Sequence, residues 1–345
     1  MITRTAAPAG AAVEALIEVG VLDELDAGQA HTDDISRAHP VWRVTLSDGR
    51  RLVVKAGIGH GGPDLAVECL VYRMTWWCEP LAAALPTPLV VDEDRQLLVL
   101  ADVDAGGQGS LAQRVGFPAL LTSGASAAVS RLDPEVAQSL GRTVGTVHRA
   151  TAGFPLPPAP PPLVLGLVGR PEATERAGLG PQVQALLTTL DALPAVTGAV
   201  AALRRPVAGC LVNHDLKWDN VVLVDAATPR PVLLDWELAG LGDPAWDLGC
   251  LLAEHLLRTD DCTLDAAAGA LLLGYREGSR LRADVVPVLA HRIAQAAGLR
   301  IAQLGLEVAY TPHSGDGSVI SRLIDRAVAV LTTPDLTEEI RRCLS

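Results

Sequence analysis

Apolar residues at Val13, Leu16, Ile17, Val19, Val21, Leu22 and Leu25 recur at helical spacing, which predicts a leading helix over 11–26. The polar stretch 27–40 reads as a separator. From 41 to 46 apolar and polar residues alternate with period two, a Ser-Asp-Gly-Arg turn signal occupies 47–50, and the run 52–56 predicts a second strand. This hairpin delivers Lys55 at its end. A helix is expected over 65–77 with Glu68 in its early turns, and strands over 88–91 and 97–101 follow a Pro-Thr-Pro break. The acidic, glycine-bearing stretch 101–110 reads as a linker. Beyond it the pattern predicts helices over 132–149, 181–205, 245–258, 262–280, 283–304 and 317–332. A proline-rich loop, 154–162, reads as a surface excursion. The segment 209–237 is the exception in this helical half: two short apolar strands enclose polar residues. The expected class is α+β, with a helical extension over 1–34, a strand-rich lobe over 35–102 and a mainly helical lobe over 103–345.

Composition narrows the function classes. The chain of 345 residues carries a formal net charge of -12, and its arginine pairs are scattered, so no nucleic-acid partner is expected. The six cysteines show no C-x-x-C spacing and most lie in apolar runs, where a thiol behaves as a small hydrophobe. The N-terminus has no apolar core of a signal peptide, and the apolar runs stop short of a membrane span. A cytoplasmic protein with no membrane partner is the expectation.

The chemistry concentrates in Asn213-His214-Asp215-Leu216-Lys217-Trp218-Asp219-Asn220, between two apolar strands, and in Asp235-Trp236-Glu237 after the next strand. Taken singly, Asp and Asn at strand ends are ordinary turn residues. Phosphoryl transfer gives the set a joint meaning. One carboxylate must orient an attacking hydroxyl and take its proton, while carboxylate and amide oxygens hold Mg²⁺ against nucleotide phosphates. Asp215 suits the first task; Asn220 and Asp235 suit the second.

The segment resembles the H-x-D-x-x-x-x-N loop and following metal-binding Asp of the aminoglycoside phosphotransferase and choline kinase-like family. The run from Asp235 through Gly240-Leu241-Gly242-Asp243-Pro244-Ala245-Trp246-Asp247-Leu248-Gly249 is the most specific match. The resemblance implies a bilobal protein-kinase-like fold, ATP and Mg²⁺ as cofactors, and transfer to a hydroxyl. It implies that Asp215 is the catalytic base, that Asn220 and Asp235 ligate Mg²⁺, and that Lys55 touches the nucleotide phosphates with Glu68 as its ion-pair partner. Residues 98–103, including Leu100 and Asp102, resemble the adenine-binding hinge. Two departures stand out. Asn213 occupies the family's usual histidine position, with His214 read as a satisfied loop residue. No glycine-rich loop precedes Lys55; the glycines at 57–62 follow it, so Ser36 and Arg37 are the candidate phosphate cover. Lys217 is a candidate contact for the transferred phosphoryl group, and Asp243 and Asp247 are expected to cap and brace the helix starting near Pro244.

Three readings of the acceptor remain. One is a small-molecule kinase acting on an aminoglycoside, amino alcohol or sugar. The second, which Lys217 favours, is a kinase for Ser/Thr of a precursor peptide, similar to the kinase subunits of lanthipeptide and thioamide-peptide biosynthesis and working with a partner lyase. The third is a catalytically silent kinase fold that serves as a binding module.

Overall fold

The computed structural model describes residues 10–36, 40–57, 64–104, 109–115, 132–172, 174–205, 207, 209–225, 229–259, 261–310 and 317–345. The chain divides into two units, Met1–Gly109 with Val232–Glu237, and Ser110–Pro231 with Leu238–Ser345.

In the first unit, helices α1 (Gly10–Glu18) and α2 (Glu24–Ala27) precede strand β1 (His31–Asp34) and the hairpin β2 (Val41–Thr45) and β3 (Arg51–Ala56). Helices α3 (Ala66–Met74) and α4 (Glu79–Ala84) then lead to β4 (Pro88–Asp92) and β5 (Leu97–Ala101). The five strands form one antiparallel sheet in the order β1-β2-β3-β5-β4. Period-two burial sorts β2 and β3 into two faces. Trp42, Val44, Leu52 and Val54 pack with Ala12 and Leu16 of α1 in the core. By the same parity Arg43, Arg51 and Lys55 fall on the opposite face. A hydrophobic pattern on one face thereby aims the lysine at the other.

Three sequence expectations change here. The leading helix breaks at Gly20, which takes φ +71, and restarts behind Asp23, whose carboxylate accepts the Asp26 N–H at 2.8 Å. The polar stretch 27–40 contains β1, paired with β2 from His31 opposite Thr45 to Asp34 opposite Trp42. An edge strand pairs on one side only and can be polar throughout, so no alternation announces it. The helix over 65–77 ends at Met74.

The second unit opens with α5 (Leu111–Val115) and continues through α6 (Pro134–Thr151), α7 (Leu163–Leu167), α8 (Thr174–Ala177), α9 (Pro181–Asp191) and α10 (Pro194–Leu203). Strands β6 (Cys210–Val212), β7 (Val221–Val224), β8 (Arg230–Leu233) and β9 (Gly240–Gly242) follow; β8 runs on into the first unit's Val232–Glu237. Helices α11 (Pro244–Leu256), α12 (Ala266–Ser279), α13 (Val286–Tyr310), α14 (Gly317–Thr332) and α15 (Pro334–Leu344) complete it. The helix expected over 181–205 is two, because Pro194 cannot donate a helical N–H and instead begins α10. The terminal helix α15 also begins with a proline and was not expected from the apolar pattern. Helices α6 and α12 meet backbone to backbone: a Cβ on Gly141 would lie 1.9 Å from the Leu271 carbonyl oxygen, and one on Gly274 1.9 Å from that of Gln138. No single helix among the described residues is long and apolar enough to cross a membrane.

Candidate active site

In the first unit, the Lys55 ammonium donates to both Glu68 oxygens, at 2.8 and 3.1 Å, and to Asp235 Oδ1 at 2.9 Å. Glu68 comes from the first turn of α3 and is 1% exposed. Burial alone would depress the Lys55 pKa, but the charges of Glu68 and Asp235 outweigh it and raise it well above the usual lysine range. Asp235 follows β8 with φ +60, a left-handed conformation that an aspartate tolerates at a modest cost. The next residue holds that turn. The buried Trp236 donates its backbone N–H to Glu68 Oε1 at 3.4 Å and its indole N–H to the Leu233 carbonyl at 3.2 Å. Lysine, glutamate and the post-strand aspartate, far apart in sequence, thus form one charged cluster.

The candidate nucleotide contacts around it fall differently. Ser36 Oγ donates to the Val41 carbonyl at 3.2 Å and accepts the Val41 N–H at 2.9 Å, so its hydroxyl ties β1 to β2 rather than standing ready for a phosphate. Arg37 and the glycines of 58–62 lie outside the described residues. Leu100 is buried in β5, opposite Val53 of β3 and Pro88 of β4. Asp102 gives its N–H to the Arg51 carbonyl at 3.0 Å, and its carboxylate binds Arg43 Nε at 2.7 Å and Arg51 Nη2 at 2.8 Å. That side chain fastens the sheet end.

In the second unit, Asp215 sits in the loop between β6 and β7. Its backbone N–H donates to Asn213 Oδ1 at 3.1 Å, so Asn213, fully buried, makes a local loop hydrogen bond from the position where the family has histidine. Lys217 Nζ lies 2.5 Å from Asp215 Oδ2. Asn220, in the single helical turn Trp218–Asn220, donates Nδ2 to the Asp215 carbonyl at 2.9 Å and to Oδ2 at 3.4 Å. That orientation commits the amide nitrogen to Asp215 and leaves Oδ1 as the oxygen a hard cation would select.

Three buried side chains support this loop. Asp247 of α11 accepts the backbone N–H groups of Asn213 at 2.8 Å and His214 at 2.9 Å, and meets His148 Nε2 at 3.2 Å. Its expected role was to brace its own helix; instead it braces the loop, while Asp243 caps the helix through the Ala245 N–H and also binds Arg292 at 2.6 Å. We expect Asp247→Ala to strand two buried backbone donors and cost about 3 kcal/mol or more. A urea midpoint within about 0.5 kcal/mol of the parent would contradict that assignment. His214 is satisfied as expected, with Nδ1 2.8 Å from the Pro160 carbonyl and its ring edge-on to Trp246. Burial lowers its pKa. The proline-rich loop therefore has a role: it pairs with Leu241 of β9 and seats His214.

Glu254 of α11 accepts the Trp218 N–H at 3.0 Å. Burial pushes its carboxyl up to about 8, against the opposing pull of the Trp218 N–H and Arg300. A raised carboxyl keeps its proton in the fold while the unfolded chain loses it, so stability falls as pH rises from about 4.3 to about 8. Glu254→Gln can keep the hydrogen bond and abolish the slope. Its urea midpoint is expected to gain on the parent's at pH 8 far more than at pH 5; an equal difference at both would refute the burial account.

The third support is Arg300 of α13, 3% exposed, whose Nη2 lies 3.7 Å from Asp215 Oδ1. Its other nitrogen pairs with Glu307, which also accepts from Gln303 Nε2 at 3.1 Å. Neither Arg300 nor Glu254 was found by motif reading. The available signal was a charged residue inside an apolar helical run, as in Gly298-Leu299-Arg300-Ile301-Ala302.

A strand-borne lysine paired with a helical glutamate, an Asp and Asn five apart in a strand-loop-strand, and an aspartate after the next strand define an α+β protein-kinase-like phosphotransferase with a hydroxyl acceptor. The chain belongs to the phosphotransferase enzyme family (APH), whose model matches residues 32–283. Among solved structures it is similar to a choline/ethanolamine kinase family protein from Mesorhizobium loti, at 18% identity and TM-score 0.58 over 96% of this chain and 98% of that one. An aminoglycoside phosphotransferase from Alicyclobacillus acidocaldarius matches at 16% identity and TM-score 0.55, over 91% and 92%. The amicoumacin kinase hAmiN, in complex with AMP-PNP, Ca²⁺ and Ami, matches at 12% identity and TM-score 0.54, over 94% and 92%. No curated protein gives a significant match.

Proposed function

We propose that the chain transfers the γ-phosphoryl group of ATP, with Mg²⁺, to the hydroxyl of Ser or Thr in a precursor peptide. The observation that carries the acceptor reading is the Asp-Leu-Lys-Trp-Asp-Asn loop, in which Lys217 sits 2.5 Å from the base carboxylate. The lysine is tethered to the atom that orients the hydroxyl, so its charge is available to the phosphoryl group that same hydroxyl attacks.

The roles divide between the two units. Lys55, fixed by Glu68, supplies a localised positive charge for nucleotide phosphates. Asp215 orients the acceptor hydroxyl and takes its proton as the new oxygen–phosphorus bond forms and the bond to the ADP oxygen breaks. Asn220 Oδ1 and the Asp235 carboxylate, a third exposed, are oxygens of the kind Mg²⁺ selects. Among the described residues no three His, Cys, Asp or Glu side chains form a self-contained metal site. Oxygens of this kind suit a divalent cation, which when bound would neutralise charge on the transferring group. The nucleotide and divalent cation in the amicoumacin kinase complex support this reading.

A phosphorylated Ser or Thr is a substrate for elimination, so a partner lyase is part of the proposal. The second reading is a small hydroxyl acceptor of amino-alcohol or aminoglycoside type, favoured by the names of the similar solved structures. The test is a panel of Ser/Thr-rich peptides, choline, ethanolamine and aminoglycosides incubated with Mg²⁺-ATP and read by mass spectrometry. One phosphoryl group gained by a peptide, removed by substituting its Ser and Thr with Ala, is the expected result. Phosphorylation confined to the small molecules would overturn the peptide reading and establish the second.

A further inference from the structure

The two oxygens of Asp215 are not equivalent. Oδ2 is in hydrogen-bond contact with Lys217 Nζ at 2.5 Å and within 3.4 Å of Asn220 Nδ2. Oδ1 faces the Arg300 guanidinium at 3.7 Å, inside ion-pair range but beyond an ordinary hydrogen bond. We propose that Arg300 is a positioning residue for the base: held in place by Glu307, it fixes the Asp215 carboxylate so that Oδ1 is the oxygen that takes the acceptor's proton.

Three features of the arrangement support the assignment. Arg300 is not a solvated surface arginine. It is buried on a helix whose buried residues are mostly Ala, Leu and Ile, where an unpaired guanidinium would be costly. Its anchor is built into the same helix, since Gln303 and Glu307 lie one and two turns further along the same face, and Glu307 engages both Arg300 and Gln303. A separation of 3.7 Å supplies attraction without occupying a lone pair of Oδ1, whereas Lys217 and Asn220 both engage Oδ2. The other titratable groups around the guanidinium are Glu254 of α11, which keeps its proton at neutral pH, Lys217 of the loop and the Cys250 thiol of α11. Burial opposes the charge on Arg300, but Glu307 and Asp215 more than offset this, so it stays cationic.

This inference rests on Asp215 being the base, and its test separates the two claims. ADP release from Mg²⁺-ATP, with water standing in as the attacking hydroxyl, is measured for the parent, Asp215→Ala, Arg300→Met, Arg300→Lys and Glu307→Gln. AMP-PNP affinity and the melting temperature are recorded for each. A misplaced base costs on the order of tenfold to a hundredfold in kcat. Arg300→Met is expected to show that loss with KM for ATP and AMP-PNP affinity unchanged. Arg300→Lys should recover part of it, and Glu307→Gln should give a smaller loss of the same type. Should Arg300→Met fail to fold, the Glu307→Gln arm still decides, because that side chain is over a third exposed. Undiminished kcat in Glu307→Gln, or a loss in Arg300→Met that appears in KM alone, would overturn the positioning role. If Asp215→Ala kept full turnover, the base assignment itself would fall.

Discussion

Asp215→Asn is expected to lower phosphoryl transfer by about 10²–10⁴-fold while leaving nucleotide affinity and folding intact. The substitution keeps the volume of the side chain and one oxygen for Lys217, so the 2.5 Å contact retains a partner. It removes the carboxylate proposed to take the proton of the attacking hydroxyl. The backbone of the loop is held independently, by Asn213 Oδ1 on the Asp215 N–H and by Asp247 on the two preceding N–H groups. A loss of transfer in Asp215→Asn therefore reports on chemistry rather than on loop collapse. Turnover and AMP-PNP binding measured on one preparation would check it, and undiminished turnover would remove Asp215 from the mechanism.

Lys55→Met has the second large effect, and it acts on stability and turnover together. Glu68 is 1% exposed, and without Lys55 it loses the ammonium that both its oxygens accept from. Breaking a buried pair from one side costs about 3–5 kcal/mol, whereas replacing both partners with apolar groups of similar size is often nearly neutral. Lys55→Met should therefore unfold at a lower urea concentration, and adding Glu68→Leu should recover part of the difference, since the Trp236 N–H then loses its acceptor. Turnover should not recover, because the positive charge proposed to meet the phosphates is still missing; a loss of about 10²-fold or more is expected. Because the pair raises the lysine pKa, its stabilisation is fully present below the ordinary lysine range of about 10.4 and fades only as pH rises above it. If the double variant regained activity as well as stability, Lys55 would be a structural residue and no more.

These two residues were legible in the sequence for a physical reason. Lys55 comes near the end of a short apolar strand that follows a turn signal, and Asp215 lies where an apolar strand ends abruptly in polar residues. Local patterns place both. The supports of Asp215 are of another kind. Asp247 reaches back more than thirty residues to the loop, and Arg300 comes from a helix 85 positions further along. Periodicity assigns Arg300 to a buried face, where an arginine looks like an exception rather than a contact. Ser36 shows the converse. Its position suited a phosphate, but its hydroxyl ties β1 to β2. Hydrogen-bond capacity already satisfied within the fold cannot be read from spacing. The polar edge strand β1 carries no apolar signal for a related reason, since it is held by pairing with β2 and not by an apolar face of its own.

Lys55, Asp215, Asn220 and Asp235 are proposed to serve one transfer of the terminal phosphoryl group of ATP to a hydroxyl. Phosphorus NMR of the chain with ATP, Mg²⁺ and the acceptor panel tests it most directly. The γ-phosphoryl signal is expected to be replaced by a phosphate-ester signal and an equal amount of ADP, only when a divalent cation is present. An ATP spectrum unchanged with every acceptor, or an ester formed equally well after chelation of the cation, would contradict it.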